Sequence, residues 1–406
     1  MAEFVHVRRI NVSLWGERVG TIIPSDDRRY YAFRYEKNFL KSGIEISPLM
    51  MPLRTTPYLF TALPVNEYCG LPPVFADSLP DAFGNSMINR WLTGRGLAAG
   101  EATALDRLAY IGKRSMGALG YEPERGPGGK PTALDLRRVV EAARRAVNGE
   151  LGAVEGEAAL REILRIGSSA GGAQAKAVIG WNRATDEFLL GDRELPEGFE
   201  HWMIKFTPKE YPWRGEKEYE CHLKAKACGL DVGEATLYEL DGLKHFMSRR
   251  FDRDGGGVKH HLLTLSAMAH FPMSVPPEFR AYEQFLITVD RLGLGYAERE
   301  EVFRRIAFNV YIGECDDHTK NFSFRLRRDG GWGLAPAYDL TGGDFPSADP
   351  WCGHAGTHML SVNGKFGGIT DDDLLTVGDR FAIGTAPKIL ERMKTVLGKT
   401  GRKQYV

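Results

Sequence analysis

Disulfide scaffolding is the first thing this sequence excludes. Its 406 residues hold only five cysteines, Cys69, Cys221, Cys228, Cys315 and Cys352, scattered and without a Cys-x-x-Cys pair. Such usage suits a reducing compartment and reads as ordinary thiols. Charge of one sign is lacking too. Lys plus Arg and Asp plus Glu stand at 53 each, so no global field draws the chain to nucleic acid. No run of about 18 apolar residues is present to span a bilayer. The first twenty residues carry charge where a secretory signal needs an apolar centre. These absences predict a cytoplasmic protein with no membrane partner. No repeat of 20 to 50 residues and no low-complexity tract occurs.

What is present is ordinary globular material, 43% hydrophobic and 26% charged, in a chain long enough for two linked lobes. Residues 5 to 35 read as short strands, with turns at Gly16-Glu17 and Pro24–Asp27. Residues 43 to 62 look extended and proline-punctuated, Phe75 to Leu97 and 101 to 112 helical, and Ser115–Tyr121 a returning strand. Arg125–Pro131 is the clearest linker. Helices are expected over Asp135–Asn148 and Glu155–Ile163, a strand pair ends in His201–Phe206, and a helix covers Glu216–Cys228. Leu237–Leu240 and His245–Met247 form a hairpin. From residue 262 the pattern is mainly helical, broken by a loop at 313 to 322 and a hairpin around Gly330-Gly331. The predicted units are 1–125, 126–255 and 256–406.

One set of residues carries chemistry. Phosphoryl transfer needs a loop over the phosphates, a cation on them, oxygen ligands for Mg²⁺ and a base facing the incoming hydroxyl. Ser168, Ser169, Ala170, Gly171, Gly172 and Ala173 form a small-residue loop before a strand, and such residues let backbone amides approach phosphate oxygens. The loop lacks the Gly-Lys-Ser/Thr ending of a Walker motif. In His201–Phe206, alternation places Trp202, Ile204 and Phe206 on one face and Met203 and Lys205 on the other. The following helix bears Glu216, Glu218 and Glu220, so Lys205 fits a phosphate-binding lysine braced by a carboxylate. Asp316 and Asn321 stand five apart, the spacing of base and metal-binding asparagine in a protein-kinase catalytic loop. Lys320 between them can neutralise the γ-phosphate. Asp339, after the hairpin, supplies a second Mg²⁺ ligand. Asp317 competes with Asp316 as base, but its spacing to Asn321 is one short.

These residues resemble the HipA family of toxin kinases. The likeness rests on Asn309-x-x-Ile312-Gly313-x-x-Asp316-Asp317-His318-x-Lys320-Asn321-Phe322-Ser323 and on Leu334–Leu340, with high specificity. Ser169-x-x-Gly172-Ala173-Gln174-x-Lys176, Trp202–Phe206, Glu218-Tyr219 and Arg250–Arg253 add to it. The hairpin from Gly20 to Phe33, Leu79-Pro80-Asp81 and Ile111–Leu119 resemble the family's N-terminal subdomain. The likeness runs from about residue 10 to 345. It implies an α+β, two-lobed protein-kinase-like fold, with a mixed N-terminal lobe, a mainly helical C-terminal lobe and ATP between them.

It also implies Asp316 as base, Asn321 and Asp339 on Mg²⁺, Lys205 on the α/β-phosphates, Phe251 beside the adenine and Asp252 reaching the ribose. Ser169, or its neighbour Ser168, becomes an autophosphorylation site; a phosphate there adds nearly two negative charges to a loop that must embrace ATP. The implied partners are a protein substrate, of which aminoacyl-tRNA synthetases are family examples, and a small helix-turn-helix HipB-like antitoxin that links the kinase to DNA indirectly. Arg249 departs from the acidic residue many relatives carry before Arg-Phe-Asp. His260–Ser266 also departs from the family pattern.

Three rival readings remain open at this point. A small molecule or lipid could replace the protein hydroxyl. The fold could be a catalytically silent binding module. His260, His261 and His270, or His354 and His358, could instead hold zinc for a hydrolase, although no His-Glu-x-x-His occurs.

Overall fold

The computed structural model describes residues 4–80, 82–98, 100–126, 134–138, 175–191, 194–254, 257–343 and 357–398. Strand alternation sets the first sheet. In β1 (Ile10–Leu14) the buried positions are Ile10, Val12 and Leu14, every second residue. β2 (Glu17–Pro24) and β3 (Tyr31–Tyr35) follow as antiparallel neighbours, and β4 (Leu119–Glu122) returns to the other edge of β1. The β1–β2 connection puts Trp15 and Gly16 at φ of 51° and 86°, the paired positive φ of a hairpin turn whose twist matches its strands. Between β3 and β4 lie the short helices Val65–Tyr68 and Pro73–Ala76 and the longer Ala82–Thr93 and Ala104–Ile111. The last is started by Thr103, whose side chain accepts from the Asp106 amide while Asp106 accepts from Thr103.

The second sheet has five antiparallel strands: β5 (Lys176–Asn182), β6 (Glu187–Leu190), β7 (Glu200–Lys205), β8 (Ala235–Leu240) and β9 (Leu243–Arg249). Their spatial order is β6-β5-β7-β9-β8. Trp202 and Ile204 of β7 are buried with Ile179 and Met247 in a hydrophobic cluster built mainly from this sheet, with Leu134 and Leu136 added to it. The helix Arg214–Ala227 packs beside β8 and β9. A third sheet joins β10 (His261–Thr264), β11 (Ser323–Leu326) and β12 (Trp332–Leu334). The β11–β12 hairpin is the one expected around Gly330-Gly331. β10 falls where a helical pattern was expected to begin. There Leu263 is fully buried, and the pairing of all four residues with β11 decides their conformation, which local propensity does not. The helices Glu283–Arg291, Tyr296–Ile312, Asp371–Arg380 and Ala386–Leu397 complete this lobe.

The larger hydrophobic cluster crosses the expected boundaries. It runs from Ile10 and Phe33 through Leu108 and Leu263 to Phe303 and Met393. The N-terminal sheet therefore packs onto the C-terminal lobe, and the five-stranded sheet keeps its own core. Polar joints pin this contact. A carboxylate oxygen of Asp77 accepts from the Thr264 amide at 2.7 Å. Glu67 accepts from the Met273 and Ser274 amides at 2.7 and 2.8 Å. The Trp15 indole donates to the Lys259 carbonyl at 2.6 Å. Among the described residues no helix is long and apolar enough to cross a membrane.

Candidate active site

The site forms where the five-stranded sheet faces the C-terminal lobe. Lys205 ends β7 on the side opposite the Trp202–Ile204 core and is buried. Its ammonium contacts both Glu218, from the helix Arg214–Ala227, and Asp339. Burial works against the charge of Lys205, but the Asp339 and Glu218 carboxylates beside it outweigh that and hold it above its ordinary value. Asp339 keeps about 30% side-chain exposure. Its own burial is overcome by Lys205 and Lys176, which hold its carboxyl well below the usual carboxylate range. Of the three glutamates the sequence offered, Glu218 reaches the lysine. Glu216 instead pairs with Lys244 and Glu220 with Lys217.

The loop after Tyr296–Ile312 separates its two aspartates by environment. Gly313 ends that helix at φ of 68°, a left-handed cap. The Asp316 side chain is 67% exposed, with His318 Nε2 at 3.7 Å from its Oδ1. Asp317 is buried and accepts from the Tyr282 hydroxyl at 2.7 Å, His358 Nδ1 at 2.8 Å and the Met359 amide at 2.6 Å. Both of its oxygens serve the packing of the lobe. The Asn321 amide nitrogen donates to the Asp316 carbonyl at 2.7 Å, fixing the five-residue loop and leaving the amide oxygen for another partner. The Tyr338 hydroxyl donates to the Lys320 carbonyl at 2.7 Å, so the residue before Asp339 is tied to the same loop.

Glu314 was not singled out in the sequence, yet it holds the two loops together. It is buried and accepts from the Asp316 amide at 3.1 Å on one oxygen. On the other it accepts from the Thr341 amide at 2.7 Å, the Thr341 hydroxyl at 2.9 Å and the Gly342 amide at 2.8 Å. Burial pushes its carboxyl up from the ordinary value, against these hydrogen bonds. Close approach reinforces the crossing: a Cβ on Gly343 would lie 2.4 Å from the Gly313 carbonyl oxygen. Asp339 itself sits at φ of 58°, a left-handed conformation that Asp and Asn adopt more readily than most residues. Lys176, quoted only as the tail of the glycine-loop motif, is also buried here, opposite Lys205 in the β5–β7 register. No periodicity marks Glu314 or Lys176, because one works through backbone amides and the other is the first residue of β5.

The connection between the lobes corrects one expectation. Asp252 is fully buried and does not face open space. Its Oδ1 accepts from Arg250 Nε at 2.8 Å. Its Oδ2 accepts from Arg250 at 2.6 Å, Arg253 at 2.6 Å and the Gly117 amide at 2.7 Å. The two guanidiniums overcome the cost of burial and hold the carboxyl well below the carboxylate range. Both oxygens are engaged by buried donors, one of them in the N-terminal subdomain, so the structure gives this carboxylate an anchoring role. Phe251 lies beside Tyr338, ring centroids 5.6 Å apart, and its carbonyl accepts from Arg325 at 2.8 Å.

Ser168, Ser169, Ala170, Gly171, Gly172 and Ala173 lie outside the described residues, as do His354 and most of both helices expected between 135 and 163. The zinc reading finds no support among the described residues, where no group of three or more His, Cys, Asp or Glu is placed to hold a metal. His261 is instead buried with Nε2 at 2.9 Å from the Ile46 carbonyl, and His270 packs edge-on against Phe60.

Two family models match the chain. One, described as the HipA N-terminal domain, covers residues 10–122; the other, described as the HipA-like C-terminal domain, covers 168–401 and so more than half of the sequence. The chain belongs to the HipA family. It is 24% identical over 412 residues to "Putative kinase Y4dM" of Sinorhizobium fredii, across 95% of this chain and 90% of that protein. It is 28% identical over 163 residues to a "Putative kinase" of Haemophilus influenzae. That match takes in 37% of this chain and 46% of the relative, so it spans about half of the Haemophilus protein's length. In structure it resembles HipA of Shewanella oneidensis MR-1, solved with HipB and its operator DNA, at a TM-score of 0.70 and 18% identity. The match covers 95% of this chain and 88% of that one. This is a likeness of fold: the two-lobed α+β architecture is that of HipA.

Proposed function

We propose that this HipA-family chain is an ATP- and Mg²⁺-dependent serine/threonine protein kinase with Asp316 as its catalytic base. The observation that carries the reading is the contact of Lys205 with both Glu218 and Asp339. A buried lysine braced by a helix carboxylate, next to a carboxylate beyond the catalytic loop, is what phosphoryl transfer requires. Asn321 and Asp339 offer the oxygen donors that suit a hard cation and would hold Mg²⁺, which when bound neutralises charge on the transferred phosphoryl group.

The chain's own groups divide the work. Lys205 holds the α- and β-phosphates. Asp316, exposed where Asp317 is not, takes the proton from the incoming hydroxyl. Lys320 balances charge as the bond to the leaving oxygen breaks. Phe251 and Tyr338 supply an aromatic wall for the adenine. Ser169 or Ser168 is the autophosphorylation site by which the enzyme silences itself. The relatives named as kinases support the reaction class. The HipB and operator DNA bound to the Shewanella protein support a small antitoxin as partner, with DNA reached through it.

Incubation with radiolabelled ATP and Mg²⁺ tests the reading. Self-labelling or labelling of a protein is expected from the wild type, and none from Asp316→Asn. ATP bound without transfer would favour a silent module. ATP consumed only with a metabolite or lipid present would favour a kinase of small molecules.

A further inference from the structure

A cavity of about 850 Å³ opens on the lobe connection and, among the described residues, shares only Phe251 with the groups just assigned. Its walls are Gly233 and Glu234 before β8, the connection from Arg249 to Asp254, His260 before β10, and the β11–β12 hairpin with Arg325, Arg327, Arg328 and Asp329. None of Lys205, Asp316, Asn321, Tyr338 or Asp339 lines it. The volume is that of a small-molecule site.

The lining is dominated by guanidinium groups. Six arginines, at 249, 250, 253, 325, 327 and 328, face three carboxylates, Glu234, Asp254 and Asp329. The floor is already committed: Arg250 and Arg253 to Asp252, and Arg325 to the Phe251 carbonyl. Arg249 pairs with Glu200 and Glu234 on one wall. The opposite wall is not committed. Arg327 and Arg328 are exposed at the hairpin, and neither side chain meets a carboxylate among the described residues. His260 is more than nine-tenths buried, and its Nδ1 has no hydrogen-bond partner among the described residues.

We propose that this cavity binds a compact phosphate-bearing small molecule, with Arg327 and Arg328 as its principal ligands. The chemistry fits on three counts. Guanidinium forks match phosphate oxygens in pairs. Two of the arginines sit on an exposed turn and can close over a bound anion without disturbing the buried ion pairs below. Crowded positive charge also strains this region. Burial and the neighbouring arginines hold Lys259 near about 7 and Arg253 near about 9, and push His260 and Arg325 below their ordinary values. An anion in the cavity would offset the arginine contribution at Arg253, His260 and Arg325, which line it. Because the cavity wall is the segment joining the lobes, occupancy would also bear on how the five-stranded sheet sits over the C-terminal lobe.

Pyrophosphate is a suitable probe, titrated calorimetrically into the full-length protein, the Lys205→Met variant and the Arg327→Ser/Arg328→Ser double variant. The double variant alters only exposed turn residues, and its thermal unfolding serves as the folding control. Binding is expected to survive Lys205→Met within about threefold and to weaken at least tenfold in the folded double variant. Loss in Lys205→Met with retention in the double variant would place the probe in the nucleotide cleft and overturn the proposal. So would affinity for a short single-stranded RNA well above that for pyrophosphate and dependent on the same arginines, since that would make the cavity part of a nucleic-acid surface.

Discussion

Replacing Asp252 by asparagine separates two roles that the sequence runs together. If the carboxylate holds the lobe connection to the N-terminal subdomain, the substitution removes the charge facing two buried guanidiniums and weakens the contact with the Gly117 amide. Breaking a buried pair by removing one partner costs about 3–5 kcal/mol, because the remaining charges stay buried and uncompensated. Unfolding entropy of about 2.1 cal/mol/K per residue, over the 406 residues of this chain, comes to about 0.85 kcal/mol/K, so the expected fall in Tm is about 4–6 °C. Differential scanning fluorimetry reads it directly, and ATP titration of the folded variant at a lower temperature reads nucleotide affinity. The expected result is a destabilised protein whose KM for ATP changes less than about threefold. A Tm within 1 °C of wild type together with a tenfold rise in KM would refute the reasoning and restore the ribose role.

Three further outcomes follow from the same geometry. Glu314→Leu leaves the Asp316, Thr341 and Gly342 amides without their acceptor, at about 1–3 kcal/mol each. It should lower stability by about 3–9 kcal/mol in urea titrations and reduce kcat more than it alters KM for ATP. Asp317→Asn should cost about 2–4 kcal/mol, since a buried carboxylate with three donors loses one oxygen, whereas Asp316→Asn should leave the urea midpoint unchanged and abolish transfer. Stability should also fall with acid. Burial holds His201 and His261 near about 4, below the ordinary 6.5, so the unfolded chain binds more protons between these values. Their contribution is complete above pH 6.5 and is lost as the pH falls towards 4, about 2 kcal/mol for each histidine at pH 5. His261→Gln should remove its share of that slope.

The parts of this protein that were legible in the sequence are those with a period or a fixed spacing. Trp202, Ile204 and Phe206 alternate, and that alone puts Lys205 on the other face of β7, where its two carboxylates meet it. The interval from Asp316 to Asn321 survives in space as a loop closed by one hydrogen bond. What stayed hidden depends on contacts between residues distant in the chain. Whether Asp252 is a ligand or an anchor turns on Gly117, some 135 positions earlier. The strand at His261–Thr264 exists because β11, sixty residues later, pairs with it. Glu314 carries no pattern because its partners are backbone amides, which every sequence has.

The shared core of the N-terminal sheet and the C-terminal lobe has a consequence for synthesis. The short helix Pro73–Ala76 is buried along its whole length and rests on Leu265–Met268. A ribosome that has completed β4 at Glu122 must add another 146 residues before Met268 emerges. At about 5–20 residues per second that is an interval of about 7–30 s. Through that interval the side of this helix that will meet Leu265–Met268 faces water or whatever else the cell offers, although Phe75 can already pack on Phe33. The nascent first third of the chain is therefore the state most exposed to chaperones, and the helices of the catalytic lobe are what finally release it from them.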